Sequence, residues 1–269
     1  MRILQPKLDI NKIESIDYNL EKEFDGENLT FFPSGHVIGS AQVLVKSNGL
    51  KILYSGDFRL QSLLFGETPI PKADVLVMEA TYGNPTHVRN FDKDVPDLLC
   101  ELIKSKLPHA PVYIFGYYGK LQEILWLINT KKIRAPVIMP EKIYKLMKIS
   151  EKLGLTLGVY YSTKSEDGKK FLQTTRFIGL YHTGHARYIK DNGIKIFLSG
   201  WEFSSPIRKV NSNEYIVAYS DHADFEDLLS YVSKVDPKLV ITDNYRVGDA
   251  QSLATAIKAR LGIEAYPMP

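Results

Sequence analysis

Leu50-Lys51-Ile52-Leu53-Tyr54-Ser55-Gly56-Asp57-Phe58 opens with a mostly apolar run and closes on a glycine followed by a carboxylate. The pattern predicts a strand over Leu50 to Tyr54 that delivers Asp57 just past its end. Asn48-Gly49 before it is a two-residue hairpin turn, which pairs it with a strand over Gln42 to Val45. Leu29 to Phe32 reads as a further strand. Pro33-Ser34-Gly35-His36-Val37-Ile38-Gly39-Ser40-Ala41 then forms a glycine-flanked loop around a histidine. The same ending recurs downstream. Val75 to Met78 leads to Glu79, Tyr215 to Tyr219 leads to Ser220-Asp221-His222, and Leu239 to Thr242 leads to Asp243. Strand ends are rigid and open at a sheet edge, so several can aim side chains at one point. Serine, aspartate and glycine also favour turns after any strand. Taken singly, each position reads as a turn residue; five together read as a site.

Helical patterns separate these strands, at Asp97 to Lys106, Leu121 to Asn129, Glu141 to Leu153, Phe225 to Val232 and Ala250 to Leu261. Further strands are predicted at Val112 to Phe115, Val137 to Met139 and Ile194 to Leu198. The alternation predicts an α/β protein. With 269 residues the chain has room for one large domain or two smaller ones, and for a core that needs no disulfide or metal staple. Its single cysteine, Cys100, excludes an internal disulfide and a cysteine-rich zinc knuckle, and fits a reducing, cytoplasmic setting. No apolar run approaches the ~20 residues of a membrane span, and Met1 to Lys7 holds no signal-peptide core. A net charge of +3 permits a polyanionic partner without arguing for one. The lysine clusters at Lys131-Lys132, Lys142 to Lys152 and Lys164 to Lys170 fit solvated helix faces and loops, or a phosphate-tracking groove.

His36 in its glycine-flanked loop suits a turn that holds an imidazole at a metal. Asp57 has two carboxylate oxygens and suits a bridge between two cations. Glu79 suits orienting a ligand or an attacking water, and His222 suits protonating a leaving oxygen. Asp221 alternatively caps the helix that starts near Phe225. In this order the segments resemble the β-CASP branch of the metallo-β-lactamase superfamily, which includes the cleavage-and-polyadenylation endonuclease, RNase J and the ligase-associated DNA exonucleases. Gly35-His36-Val37-Ile38-Gly39-Ser40-Ala41 resembles the family's third motif and Ser55-Gly56-Asp57-Phe58 its fourth. Glu79-Ala80-Thr81-Tyr82-Gly83 resembles motif A, and Ser220-Asp221-His222-Ala223-Asp224 motif B. Phe115-Gly116-Tyr117-Tyr118-Gly119-Lys120-Leu121-Gln122-Glu123 resembles a segment of the β-CASP insert, and Ser199-Gly200-Trp201 the strand end where the insert returns. The resemblance runs from about Leu29 to the C-terminus.

It implies an αββα sandwich with an inserted α/β cap, divided as core over 1–95 and 200–269 and cap over 96–199. It also implies two zinc ions clamping phosphodiester hydrolysis. By position His36 would ligate one zinc, Asp57 would bridge both, Glu79 would support the site, and His222 would contact the scissile phosphate or assist the leaving group. The sequence departs from that pattern. The family's His-x-His-x-Asp-His motif should precede His36, yet no histidine lies upstream of it, and none of the six histidines reproduces the spacing. Asp243 stands where the family has its final histidine ligand. The sandwich is therefore expected to be incomplete on its N-terminal side. His36, Asp57 and Asp243 are too few to hold two zinc ions tightly, so zinc is expected only if the site is completed. His182 and His185 read as loop histidines. Two functions follow. One is a degenerate scaffold or subunit that binds RNA or DNA, with Lys120, Arg59, Arg187 and Arg208 as candidate phosphate contacts. The other is a zinc-dependent nuclease whose missing ligands come from a partner chain or an upstream segment. A small-molecule hydrolase fits the insert and motif B poorly. A missing sandwich edge also predicts that another copy, another protein, or residues 1–28 repacked cover an open apolar face.

Overall fold

The computed structural model describes residues 14–269. It contains two seven-stranded sheets and a small two-stranded ribbon. The first sheet runs Glu21–Phe24, Glu27–Pro33, Ala41–Ser47, Leu50–Tyr54, Val75–Met78, Leu239–Asp243 and Glu264–Met268. The first four strands pair antiparallel and the last four parallel. Asn48-Gly49 makes the expected hairpin, with Ser47 opposite Leu50. Glu27–Pro33, Leu50–Tyr54, Val75–Met78 and Leu239–Asp243 consequently all point the same way. The segments carrying His36, Asp57, Glu79 and the residues after Asp243 leave the sheet at one edge.

The helices Phe225–Val235 and Ala250–Leu261 cover one face of this sheet. Leu53, Leu76, Met78 and Val240 are buried there with Phe225, Leu228, Val232, Leu253 and Ile257 in one cluster. Full burial of such a side chain is worth about 1.5–3 kcal/mol, so this layer holds the core together. The other face is different. Cross-strand register aligns Phe31, Val43, Tyr54, Val77, Ile241 and Tyr266 in one row. None of the six is buried, and Tyr54 and Tyr266 are 37% and 48% exposed. Parallel strands ordinarily have both faces covered. Among the described residues the core is thus one sheet with helices on one side, half of the expected sandwich. Residues 1–13 of the segment expected to repack lie outside the described residues. Glu21–Phe24 and Glu27–Pro33, from the rest of it, extend the sheet at its edge.

The second sheet runs Tyr161–Ser162, Val137–Met139, Ile178–His182, Val112–Gly116, Ile194–Ser199, Glu214–Ala218 and Ile207–Lys209. All its pairs are parallel except the last. The helices Val95–Lys106, Tyr118–Thr130 and Glu141–Lys152 bury Leu99, Ile103, Leu121, Ile124 and Met147 in its main core. This is the cap, and it is larger than expected. Glu214–Ala218 pairs with Ile194–Ser199, so the cap extends to Ala218 rather than residue 199. A five-residue apolar strand fits either sheet by composition, and only its pairing decides. A second correction concerns the helix starting at Phe225. Its N-cap is Asp224, whose carboxylate accepts from the Asp227 backbone N–H, and not Asp221.

A buried ion pair ties cap to core. Arg59, two residues past Asp57, reaches Glu123 of the cap helix Tyr118–Thr130 at 3.3 Å and Asp92 at 3.2 Å. Glu123 also accepts from Tyr219 Oη at 2.8 Å and Ser62 Oγ at 3.1 Å. Removing one partner of a buried pair leaves an uncompensated charge, whereas replacing both partners by apolar groups is far cheaper. Glu123→Ala is expected to lower the unfolding free energy by about 3 kcal/mol. The pair Arg59→Met with Glu123→Leu should lose much less. Urea denaturation checks this, and equal losses would contradict it.

Candidate functional site

The His36 loop is built to hold one imidazole in one pose. Ser34 Oγ donates to the Asp57 carbonyl at 2.8 Å, and Ser34 and Ser40 hydroxyls meet at 2.9 Å. Gly35 has φ +72°, and a Cβ there would lie 2.5 Å from the Arg59 carbonyl oxygen, so the turn needs glycine. His36 Nδ1 lies 2.9 Å from the Asp221 carbonyl oxygen. A carbonyl only accepts, so Nδ1 donates this hydrogen bond. Nε2 faces Asp57 Oδ2 at 4.0 Å.

Glu79 is buried at the end of its strand. It accepts from the Phe58 backbone N–H at 2.7 Å and from the Thr81 hydroxyl, and lies 2.9 Å from His222 Nδ1. Burial alone pulls the His222 pKa down. The Glu79 hydrogen bond and charge, with Asp221 and Asp57, outweigh it and raise the pKa above 6.5. The rings of His36 and His222 stand 4.5 Å apart. Asp221 turns inward, 3.4 Å from Lys120 Nζ, and both side chains are buried. Burial opposes its ionisation, but Lys120, His36 and His222 hold its carboxyl below the usual carboxylate range. Gly119 lets the cap helix approach this closely, since a Cβ there would sit 2.3 Å from a Val37 methyl.

Asp57 and Asp243 share a partner that sequence reasoning missed. Arg246 contacts Asp57 Oδ1, reaches Asp243 Oδ2 at 3.5 Å, and donates to Tyr54 Oη at 2.7 Å. Partial burial lowers its pKa, but Asp57, Tyr54 and Asp243 raise it on balance, so the guanidinium stays charged. Arg246 lies in an exposed loop three residues after a carboxylate, and only the fold brings it to Asp57.

The edges of the two sheets enclose a cleft of about 640 Å³, lined by His36, His222, Lys120, Tyr117, Thr183 and Trp201 among others. Tyr117 and Trp201 are 61% and 52% exposed. Trp201 packs edge-on against Tyr82, with ring centroids 5.0 Å apart. Exposed aromatics at strand ends were the available signal for these two. Lys120 is the one expected phosphate contact that lines the cleft, and it is already paired. Arg59 is corrected. It is buried in the cap–core ion pair and so not free for phosphate. Arg208 is held by Glu202 at 2.6 Å, and Arg187 is exposed against Tyr188 Oη. His182 Nδ1 accepts from the Gly184 backbone N–H, a local cap, and His185 is exposed.

No family model matches the chain. It is 36% identical over 141 residues to an Acidianus ambivalens protein described as "Uncharacterized protein in lig 3'region", covering 52% of this chain and 99% of that protein. It is 32% identical over 160 residues to cleavage and polyadenylation specificity factor subunit 3 of Dictyostelium discoideum, covering 56% of this chain and 20% of that protein. A probable DNA ligase of Opitutus terrae aligns at 27% identity over 98% of this chain and 26% of its own length. The ordered motifs and these relatives converge. The chain belongs to the β-CASP branch of the metallo-β-lactamase superfamily. It spans only about a fifth to a quarter of the cleavage factor and the ligase. A crystal structure of a protein of unknown function from Enterococcus faecalis V583 shares the fold, with TM-score 0.62 at 14% identity over 86% of this chain and 61% of that one.

β-CASP membership implies two zinc ions. Asp57 Oδ1 and Asp243 already face a guanidinium, and the His-rich motif does not occur in the sequence. These residues do not fit a dinuclear centre. The His222–Glu79 contact carries a pH signature. Because the folded pKa is raised, its stabilisation is full below about pH 6.5 and is lost as pH climbs through the raised value. In metal-free buffer, the His222 ring should titrate by NMR with a midpoint above 6.5, and Glu79→Gln should lower that midpoint. A wild-type midpoint at or below 6.5 would refute it.

Proposed function

We propose that this nuclease-family chain is a degenerate member that binds RNA or DNA in the core–cap cleft, as a scaffold or processing subunit, without cleaving it alone. The observation that carries this reading is Arg246 seated between Asp57 and Asp243, where the family places metal. The cleft offers what a single strand needs. Tyr117 and Trp201 are exposed aromatics on which bases can stack, and Lys120, paired with Asp221, lines the same cleft. The names of the relatives, a cleavage and polyadenylation factor and a probable DNA ligase, support a nucleic-acid partner. A reducing, cytoplasmic setting fits the lone buried Cys100. Anisotropy with single-stranded RNA and DNA should show binding that weakens steeply with salt. Trp201→Ala should cost about 1–3 kcal/mol of it. The oligonucleotides should stay intact with manganese or zinc. Cleavage that His222→Ala abolishes would reject this reading.

The open sheet face favours a second reading. A partner chain, another copy, or residues upstream of the strands would cover Val43, Val77 and Ile241 and bring the missing histidine ligands to the same edge. The complete protein would then be a zinc-dependent phosphodiesterase. Val43→Lys with Ile241→Lys is expected to abolish self-association or co-purification while leaving the melting temperature nearly unchanged, since neither residue is buried. Light scattering decides. A wild-type protein that is monomeric and monodisperse at high concentration, with no co-purifying chain, would count against cover by a partner or a second copy, and would leave cover by the chain's own upstream residues.

A further inference from the structure

The wall of the cleft continues onto the rim of the cap. Thr183 lines the cleft, and the 3₁₀ helix Thr183–Tyr188 carries the chain away from it. In a 3₁₀ helix, positions three apart eclipse. Ala186 and Ile189 pack against the cap cluster of Phe115 and Tyr181, which leaves His185 and Tyr188 as a separate row with ring centroids 6.3 Å apart. Tyr188 is 63% exposed, as open as Tyr117 in the cleft. His182 precedes this helix and reaches back toward the cleft, its ring 5.3 Å from Tyr117 and 4.9 Å from Tyr118. The rim is also basic. Arg187 lies 4.8 Å from the Tyr188 ring centroid, and Lys142 lies 5.0 Å from that of Tyr118. Among the described residues neither cation forms an ion pair, and Glu141, beside Lys142, is engaged by Lys145 and Ser162. Exposed cation–π pairs add little to folding, and single exposed apolar side chains are ordinary. Neither accounts for open rings and unpaired cations grouped beside a cleft.

We propose that this rim is a second stretch of the single-strand path, where RNA or DNA leaving the cleft past Tyr117 stacks bases on His182 and Tyr188 while Arg187 and Lys142 meet its phosphates. The proposal deepens the nucleic-acid-binding reading and rests on it. The chemistry is that of an aromatic and cationic track. Every base has a ring face to stack, and each phosphate carries a charge for a guanidinium or ammonium to meet. A duplex keeps its bases stacked on one another and cannot use the rings. Cleft and rim then do different things. Lys120 in the cleft is already neutralised by Asp221. Arg187 and Lys142 bring charge that is not, so much of the salt-sensitive affinity belongs to the rim. Affinity therefore depends on length: a short oligonucleotide fills the cleft alone, and a longer one gains the rim.

The test measures anisotropy on the whole chain with short and long single strands of about 4 and about 12 nucleotides, within the usual span of single-strand sites. The long strand should bind about tenfold more tightly than the short one. Tyr188→Ala combined with Arg187→Ala should weaken the long strand about tenfold and leave the short one unchanged, whereas Trp201→Ala weakens both. Arg187→Ala alone should flatten the log–log salt slope of the long strand by roughly 0.7. A measurement on the wild-type protein covers the case in which a variant misfolds. The long strand must shift the ring resonances of His182 and Tyr188, and the short strand must spare Tyr188. Polyglutamate of matched charge has no rings to stack and should bind the rim about tenfold more weakly. Equal binding would assign the rim to an acidic protein segment and overturn the proposal. Loss of affinity that is the same for both lengths, or unmoved Tyr188 resonances, would overturn it too. Binding at neither length would reject the nucleic-acid reading itself, and this proposal with it. A short strand that binds through Trp201, with no gain from length, would overturn the rim alone.

Discussion

Parallel pairing of Leu50–Tyr54, Val75–Met78 and Leu239–Asp243 is the constraint on which the site depends. Parallel strands deliver their carboxyl ends to the same edge, so Asp57, Glu79 and Asp243 arrive together although they are far apart in sequence. The hairpin at Asn48-Gly49 sets the register that brings Glu27–Pro33 into the same direction and adds His36. The cap repeats the arrangement. Its parallel strands end at Gly116, His182, Ser199 and Ala218, and the segments beyond them form the opposite wall of the cleft. The Arg59–Glu123 pair then holds the two edges face to face, because a buried guanidinium and carboxylate are each costly without the other.

Much of this was legible in the sequence. Apolar runs ending in Gly-Asp, Glu or Asp-His gave the strands and their polar ends, since strand formation is local. The helix over Ala250 to Leu261 and the strand over Val75 to Met78 have the expected bounds. Pairing was less accessible. Glu214–Ala218 belongs to the cap because of its partner, and nothing in its five residues names that partner. Glu264–Met268 carries a proline and only scattered apolar residues, so its strand is imposed by the neighbour Leu239–Asp243. Arg59 illustrates another limit. An arginine beside a candidate site looks like a phosphate contact until its burial beside Glu123 is known. Arg246 gave no periodic or motif signal, because the contact that matters spans 189 residues.

Retention of the site residues bears on function differently once their contacts are known. Glu79 accepts from the Phe58 backbone, Thr81 and His222 in a buried position, so losing it would leave orphaned donors whatever the chemistry. His36 fastens the loop to the Asp221 carbonyl, and Asp221 in turn neutralises buried Lys120. These residues are therefore accounted for by folding alone, and their presence does not argue for hydrolysis. The partly exposed trio of Asp57, Asp243 and Arg246 is different. Exposed ion pairs contribute little to stability, so folding supplies little reason for a guanidinium to sit there. A cation placed against the one carboxylate that a two-metal site would share is better understood as charge compensation. It engages Asp57 Oδ1 and leaves Oδ2 turned toward His36. The consequence is a shared carboxylate held by a guanidinium, beside a cleft lined by the exposed rings of Tyr117 and Trp201.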